Sequence, residues 1–501
     1  MSASSGAQAQ VALRGPLDST TMSPRETTFF RAVYTRHTNF ASAEAEQACN
    51  NTPNFGRSNI QTTIQRSGDL LSQMYLYMEL NRFKFLNAGV EPAAAGTLDW
   101  DSGNCSGWVN GIGYAAINEL TCLIGQHDFD TQDGRYMYMR EAAASKSDRR
   151  LGAEVGLYPT QFDACTASLL DQKLYTPLQF WFNNFLEQSL PMIGLYWHEL
   201  RVDSDLKNAA DLYVQLGTHG TLTVGQNVFT CTPPTTLLPE MHFLCNFQYL
   251  DRPERAMFAN QKLEQIFGQV QYLGEETYLA TDNFKQVSIR WNHPVTDIQW
   301  VLQSDAARAA NDWFNFGGVE FRPVPVNGGD TAPVLIAQPF ESAQIFLNTH
   351  NRTVELPSVY FNSIPAHRAH TRIPRAIADN FTNEFISTYP LGVDPDGLLH
   401  SGSINFSRMD SAYVRFKLWH DTAAPPANSW NAAGNAQVPW AHAGSINIYG
   451  RNVNLAKVSI GTQFSIIFLT NWIFSLFSNH NFFISSSSRH DVRFPFTHKT
   501  Y

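Results

Sequence analysis

From about residue 24 to about Gly450 the apolar side chains recur with a period of two rather than 3.6. In "LLSQMYLYMEL", Leu70, Ser72, Met74, Leu76, Met78 and Leu80 share one face, and Gln73 and Glu79 take the other. In "VSIRWN", Val287, Ile289 and Trp291 oppose Ser288, Arg290 and Asn292. In "AYVRFKLW", Ala412, Val414, Phe416 and Leu418 oppose Arg415 and Lys417. This pattern predicts half-buried strands with one wet side. Between them run long segments rich in Gly, Asn, Asp, Thr and Pro, notably Ala93–Gly113, Gly217–Pro234 and Pro323–Thr331. Long loops between alternating strands predict β-sandwiches rather than a parallel sheet, so the fold class is all-β.

Two segments break the pattern. "DRPERAMFANQKLEQIFGQVQYLG" starts with Asp251 as a cap, Pro253 in the first turn and Glu254 at the positive helix end. Met257, Leu263, Ile266, Phe267 and Val270 complete a roughly helical stripe, which predicts a connector helix over 251–272 between two sandwiches. The second is the tail. Val458 to Ser488, 31 residues, contain no Asp, Glu, Lys or Arg, and the 21 residues "FSIIFLTNWIFSLFSNHNFFI" are long enough for one bilayer crossing. Ser465, Thr470, Asn471, Ser475, Ser478, Asn479, His480 and Asn481 dilute that stretch. A membrane span and a buried or partner-covered tail both stay open.

A chain of 501 residues exceeds the roughly 250–300 at which one core stops growing, so two large domains are expected. Charged residues are only 16% against roughly 25% in an ordinary soluble domain, while aromatic residues reach 13%. Such a chain has either unusually large cores or a surface covered by partners. The net charge of −9 argues against direct contact with nucleic acid. The densest basic cluster, "KSDRR" (Lys146 to Arg150), reads as a solvated loop. Six cysteines show no zinc-ligand spacing, and the first twenty residues lack the basic start and apolar run of a signal peptide. The chain is therefore expected to be made in the cytosol with its cysteines mostly free and buried.

No reactive centre stands out, and no catalytic residue, cofactor or metal ligand is assigned. "WHEL" (Trp197 to Leu200) begins like a zinc-protease helix, but the second histidine would fall on Val202. "DFDTQDG" (Asp128 to Gly134) departs from a calcium loop in its glycine and at Gln132, and reads as a polar turn. Gly111 and Gly113 form a GxGxxA pattern without a βαβ unit around it. His367 and His370 lie beside Arg368 and Arg372, cations that disfavour a metal; an exposed loop or subunit contact is expected there. Five N-x-Ser/Thr sequons occur, at Asn50, Asn104, Asn351, Asn380 and Asn405. Asn104 is the candidate glycosylation site.

Six ordered segments carry a resemblance. They are "RETTFFRAVYTRHTNFA"; "FGRSNIQTTIQRSGDLLSQMYLYMEL", with Arg66, Gly68, Asp69 and Leu70 at a turn; and "LYTPLQFWFNNFLEQSLPMIGLYWHEL". The others are "YLDRPERAMFANQKLEQIFGQVQ", with Leu250, Asp251, Glu254 and Arg255; "WNHPVTDIQWVLQ", with Asn292 to Val295 and Trp300; and "GSINFSRMDSAYVRFKL", with Asn405 to Arg408 and Asp410. Together they resemble the major capsid protein of nucleocytoplasmic large DNA viruses. The resemblance implies a double jelly roll, two eight-stranded antiparallel sandwiches. It also implies homotrimeric capsomers of pseudo-hexagonal outline that tile an icosahedral shell, assembled in the host cytoplasm.

On that reading residues 1–27 are an N-terminal arm, 28–250 the first jelly roll, 251–272 the connector helix, 273–457 the second jelly roll and 458–501 an atypical apolar tail. The implied partners are further copies of the chain, neighbouring capsomers, minor capsid and penton proteins, and an internal membrane near the arm, where Arg25, Arg31 and Arg36 would meet acidic groups or lipid heads. Two other readings compete: a carbohydrate-binding or glycosidase-like β-sandwich protein with an aromatic cleft, and a minor capsid or spike protein of the same lineage. The tail has no counterpart in the family's usual ending, which adds a third possibility for it, a frame change or retained intron. Peptides spanning Val458 to Arg489 in a digest of the virion protein would exclude that third possibility; their consistent absence beside full coverage upstream would support it.

Overall fold

The computed structural model describes residues 38–458 except 83, 88–104, 145–149, 160–162, 165–166, 169, 196–197, 217–220, 225–226, 233–236, 261–262, 310, 318–337, 349, 376–382 and 420–442. Sixteen principal strands form two sandwiches. The first uses β1 (Phe40–Ala48), β2 (Ile60–Ile64), β3 (Leu70–Leu80), β4 (Ile117–Ile124), β5 (His127–Gln132), β6 (Gln172–Pro177), β7 (Leu200–Leu206) and β8 (Glu240–Leu250). The second uses β9 (Leu263–Tyr278), β10 (Phe284–Ser288), β11 (Pro294–Ser304), β12 (Ser342–Leu347), β13 (His350–Asn351), β14 (Ser387–Pro390), β15 (Ala412–Lys417) and β16 (Gly444–Val458).

The sheet orders are β1-β8-β3-β6 and β2-β7-β4-β5 in the first sandwich, β9-β16-β11-β14 and β10-β15-β12-β13 in the second. Adding eight to each label converts one into the other, so the chain holds the same topology twice without an evident sequence repeat. Short strands extend the match: Leu190–Pro191 pairs with β3, and Ile404–Asn405 pairs with β11. Helix α1 (Gly134–Ala144) follows β5, and α3 (Ser358–Ala369) follows β13.

Alternation decides which side chains face inward. In β7, Leu200, Val202, Ser204 and Leu206 are buried between half-buried Arg201, Asp203 and Asp205. In β15, Ala412, Val414 and Phe416 are buried, as expected. In β3 the expected face holds from Ser72 to Leu80, but Leu71 is buried and Leu70 only half so. The ladder to β8 skips Ser72, pairing Asn246 with Gln73 and Phe247 with Leu71. That bulge turns the strand over by one residue.

Helix α2 occupies Arg252–Asn260, where Asp251 accepts a hydrogen bond from the Arg252 amide. The connector helix expected over 251–272 is therefore too long. Leu263–Tyr278 is strand β9, paired antiparallel to β16 along its length. Ile266 is exposed and Phe267 buried, which a two-residue period explains and a helical stripe does not. Long-range pairing has overridden a weak local helix signal. The segment Gly217–Pro234, expected as a loop, contains the strands Thr221–Val224 and Asn227–Thr232, the second paired with Lys84–Asn87.

The cores are not independent. One cluster lies wholly in the second sandwich, around Trp300, Phe361 and Phe416. The other fills the first sandwich and also takes in Phe267, Val301, Phe316, Phe385 and Tyr449 from the second. Strand β11 shows how: from Val295 to Ser304 every residue is buried. Ile298, Trp300 and Leu302 face its own sandwich, and Val301 belongs to the shared cluster.

Helix α1 lies in this shared region, and every residue from Tyr136 to Ala143 is buried. A Cβ on Gly134 would fall well inside contact distance of the Tyr114 carbonyl oxygen, so only glycine lets the helix begin there. Gly134→Ala should destabilise the chain by roughly 1–3 kcal/mol through forced displacement of that turn. Chemical denaturation would read this, and an unchanged midpoint would mean the helix is not clamped at its start.

Candidate functional site

Residues from three of the polar motifs in the sequence meet at this seam between the sandwiches. Asp128 to Gln132, expected as a polar turn, is strand β5, and Asp130 and Gln132 on it are buried. Arg150, expected in a solvated loop, is half-buried with its side chain out of solvent and bound to Glu384; residues 145–149 lie outside the described residues. His367 ends α3 instead of lying in a loop, and His370 just after it is buried against Asp396. For Asp130 and Arg150 the sandwich opposite supplies the partner, Val270 and Glu384, whereas His370 finds Asp396 within its own sandwich.

Helix α1 is tied at both ends. At its start Asp133 Oδ1 accepts the Tyr136 amide at 2.7 Å and Oδ2 accepts the Tyr449 hydroxyl at 2.6 Å. At its end the Ala143 carbonyl accepts the Arg372 amide at 3.0 Å, and the Glu141 carbonyl accepts Arg372 Nη2 at 2.8 Å. The second sandwich thus satisfies helix-terminal carbonyls that would otherwise be buried without a donor. Along its side, Tyr138 donates to Glu384 at 2.9 Å and stacks on Phe314 at 4.1 Å.

The charged centre is Asp396. It pairs with Arg140 of α1, accepts from His370 Nδ1 at 2.8 Å and pairs with Arg451 Nη2 at 3.2 Å. Arg451 Nε also binds Asp297 at 2.9 Å. Burial opposes ionisation of Asp396, but the Arg140 guanidinium, the His370 hydrogen bond and Arg451 outweigh it and hold the carboxyl well below its ordinary range. Nearby, Asp130 Oδ1 accepts the Val270 amide of β9 at 2.9 Å, and Oδ2 accepts Gln132 Nε2 at 2.6 Å. Burial dominates there and pushes its carboxyl up to about 7.

An open cavity of ≈ 750 Å³, solvent-filled space included, runs along this seam and is lined by Asp130, Arg140, Trp181, Gln269, Asp396 and Arg451. Asp396 and both arginines are committed to one another, leaving no polarised nucleophile among them. Among the described residues no group of three or more His, Cys, Asp or Glu is placed to hold a metal ion. What the arrangement does is mechanical: it fixes one sandwich against the other.

Two further clamps join segments far apart in sequence. Asp69 is buried and accepts Arg255 Nε at 2.9 Å and the Leu250 amide at 2.8 Å, which seats α2 on the turn before β3. A Cβ on neighbouring Gly68 would lie 2.5 Å from Phe247 Cβ, so the turn admits no larger residue. In the second sandwich the His293 amide donates to Ser407 Oγ at 2.8 Å, and Pro294 pairs with Asn405. The four segments "RSGDL", "LDRPER", "NHPV" and "NFSR" are thus two contacts, each written at two places in the chain.

Two family profiles cover most of the sequence. One, described as "Major capsid protein N-terminus", matches residues 28–251; the other, "Large eukaryotic DNA virus major capsid protein", matches residues 254–463. The chain belongs to the major capsid protein family of large DNA viruses. "Probable capsid protein 4" of Acanthamoeba polyphaga mimivirus is 26% identical over 477 residues, covering 78% of this chain and 88% of that protein. The "Major capsid protein" of Paramecium bursaria Chlorella virus 1 is 24% identical over 458 residues, covering 87% of this chain and 93% of that one. Among solved structures, PBCV-1 VP54 superposes with a TM-score of 0.65 at 21% identity, covering 87% of this chain and 98% of that one. The Faustovirus major capsid protein gives 0.60 at 11%, covering 89% and 94%. The fold is accordingly the double jelly roll, and the protein is a structural component of the virion, not an enzyme.

Asn104, the candidate glycan site, lies outside the described residues, as do the arm (residues 1–27), the first ten residues assigned to the first jelly roll and the tail from residue 459. The sequence reading missed Asp130, Asp133, Arg140, Asp297, Glu384, Asp396 and Arg451. A signal existed for Arg140: a lone arginine and glutamate inside the apolar run "YMYMREAAA" can be buried only with partners.

Asp396→Asn should cost about 3–5 kcal/mol at pH 7, because it strands the buried Arg140 guanidinium and leaves Arg451 with Asp297 alone. The contribution of Asp396 is complete above the unfolded carboxyl value of roughly 3.9 and is lost as pH falls from there toward its lower folded value. Asp130 acts in the opposite sense. Its contribution is complete below roughly 3.9 and is lost as pH rises through about 7. Urea unfolding between pH 3 and 9 should therefore show a loss below about pH 4 that flattens in Asp396→Asn and a loss between about pH 4 and 7 that flattens in Asp130→Asn. Parallel curves for parent and variants would remove both carboxyls from the seam's energetics.

Proposed function

We propose that three copies of this chain form a capsomer of pseudo-hexagonal outline, and that such capsomers tile an icosahedral shell. The observation that carries this is the duplicated strand order together with the seam. One chain presents two units of equal topology held rigidly side by side, so three chains around an axis supply six similar units. The first jelly roll is taken as residues 28–250 and the second as 273–457. A permanent trimer needs an interface above roughly 2,000 Å², and a surface with few charges favours burying one. Contacts between capsomers can each be weak, because a shell repeats them many times.

Assembly in the host cytoplasm, contact with minor capsid and penton proteins, and contact of the arm with an internal membrane belong to the same proposal. So does a glycan on Asn104. The capsid reading displaces the carbohydrate-binding alternative because both jelly rolls are spent on packing against each other, with aromatic side chains such as Trp181, Phe267 and Tyr449 buried in that contact.

Size-exclusion chromatography with light scattering tests the stoichiometry. The expected mass is three times the chain's 56.3 kDa. A stable monomer at micromolar concentration would reject the capsomer.

A further inference from the structure

The open cavity along the seam is lined by two kinds of residue besides its ion cluster. Some are apolar and in contact with solvent: Leu398 and Leu399, on the loop after β14, are 38% and 81% exposed, and Ile266 of β9 is 55% exposed. Others carry side-chain amides, among them Gln179, Asn184 and Gln188 from the segment after β6. Asp396, Arg140 and Arg451 line it too, but they are spent on one another.

The two leucines are held out by the loop's own fastenings. Asp396 is fixed by its ion pairs, and Ser401 Oγ accepts the Asp394 amide at 2.8 Å and donates to the Asp394 carbonyl at 2.6 Å. A loop pinned at both feet does not fold its apolar tip inward, and no described residue covers Leu399. Exposed apolar side chains grouped at a cavity mouth mark a contact site. Its occupant needs apolar side chains for Leu398, Leu399 and Ile266 and hydroxyl or amide groups for the polar lining. It needs to be uncharged, because a charge would be desolvated beside ions that are already paired.

The chain carries a segment of that composition. Val458 to Ser488 contain no Asp, Glu, Lys or Arg, and they interleave Phe, Ile, Leu and Trp with Ser, Thr and Asn. The segment also starts next to the cavity. In the ladder between β16 and β9, Leu455 pairs with Ile266 and Val458 pairs with Leu263, while Val453 lines the cavity. At roughly 3.3 Å per strand residue, the tail sets off about 17 Å from that wall. A segment tethered so closely meets the site at an effective concentration of about millimolar.

We infer that the tail of the same chain occupies this groove, with residues 459–488 seating apolar side chains on Leu398, Leu399 and Ile266. Of the readings open for the tail, this selects the covered one and names the surface that covers it. The contact lies within one chain, so it stands or falls separately from the trimer.

The test uses the full chain with p-benzoylphenylalanine in place of Leu399, made as an equal mixture of unlabelled and nitrogen-15-labelled protein. Illumination followed by peptide mapping should join position 399 to residues 459–488 within one isotopic species. Links between labelled and unlabelled chains, links elsewhere, or a purified protein without tail peptides would each overturn the proposal. Independently, Leu398→Asp with Leu399→Asp should speed chymotrypsin cleavage at Phe464, Phe468 or Trp472 about tenfold or more, with an unchanged far-ultraviolet circular dichroism spectrum. Equal cleavage in parent and variant would count against it. If the aspartate pair fails to fold, the crosslink still decides, since Leu399 is exposed and its replacement disturbs no packing.

Discussion

Arg140, buried, and Arg451, half-buried, carry full positive charges into the seam beside its open cavity, and the rest of the architecture is arranged so that they can stay there. Asp396 lies between them, Asp297 supports Arg451 from β11, and His370 supports Asp396 from the end of α3. An ion removed from water costs several kcal/mol unless its partners are close and well oriented. Every element that bears one of these groups is therefore fixed relative to the others. The loop around Asp396, helix α1 of the first jelly roll and strands β11 and β16 of the second cannot shift separately.

The same requirement explains why two topologically equal units have diverged in sequence. In the first jelly roll the helix after β5 is roofed by a second domain, so it carries "YMYMREAAA", apolar on every side with one ion pair to satisfy. In the second, the helix after β13 keeps an exposed Val359 and Ile364 and ends in His367 and Arg368. Equal folds in unequal surroundings select different side chains. Duplication is accordingly plain in the strand order and invisible in the residues.

What was legible in the sequence follows the same division. Strand β15, wet on one side, shows clean alternation, and it was readable as a strand. The turn at Gly68 and Asp69 and the connector at Asp251 to Arg255 were recognisable because each needs particular residue types, a glycine against Phe247 and an aspartate for Arg255. Helix α1 was illegible because a helix buried all round has no periodic stripe. Strand β9 was misread as helix because its apolar positions happen to fit both periods over a short window, and only its ladder to β16 separates them. Arg150 and Asp130 looked like solvent-facing loop residues because their partners, Glu384 and Val270, are 234 and 140 positions away.

A seam held by ion pairs contributes less net stability than an apolar one of equal volume, so its value must lie elsewhere. Apolar surfaces are nearly indifferent to small sliding motions, whereas a buried guanidinium and carboxylate lose their attraction steeply once displaced and leave two uncompensated charges. The cluster around Asp396 therefore restricts the angle between the jelly rolls more than it holds them together, while the shared core around Phe267, Val301 and Tyr449 supplies the adhesion. A subunit that repeats across a shell gains from this separation of roles. Errors in angle accumulate from one copy to the next, whereas errors in strength do not. The constraint that made room for two arginines in the seam is thus the same one that lets weak, repeated outer contacts be made in a consistent direction.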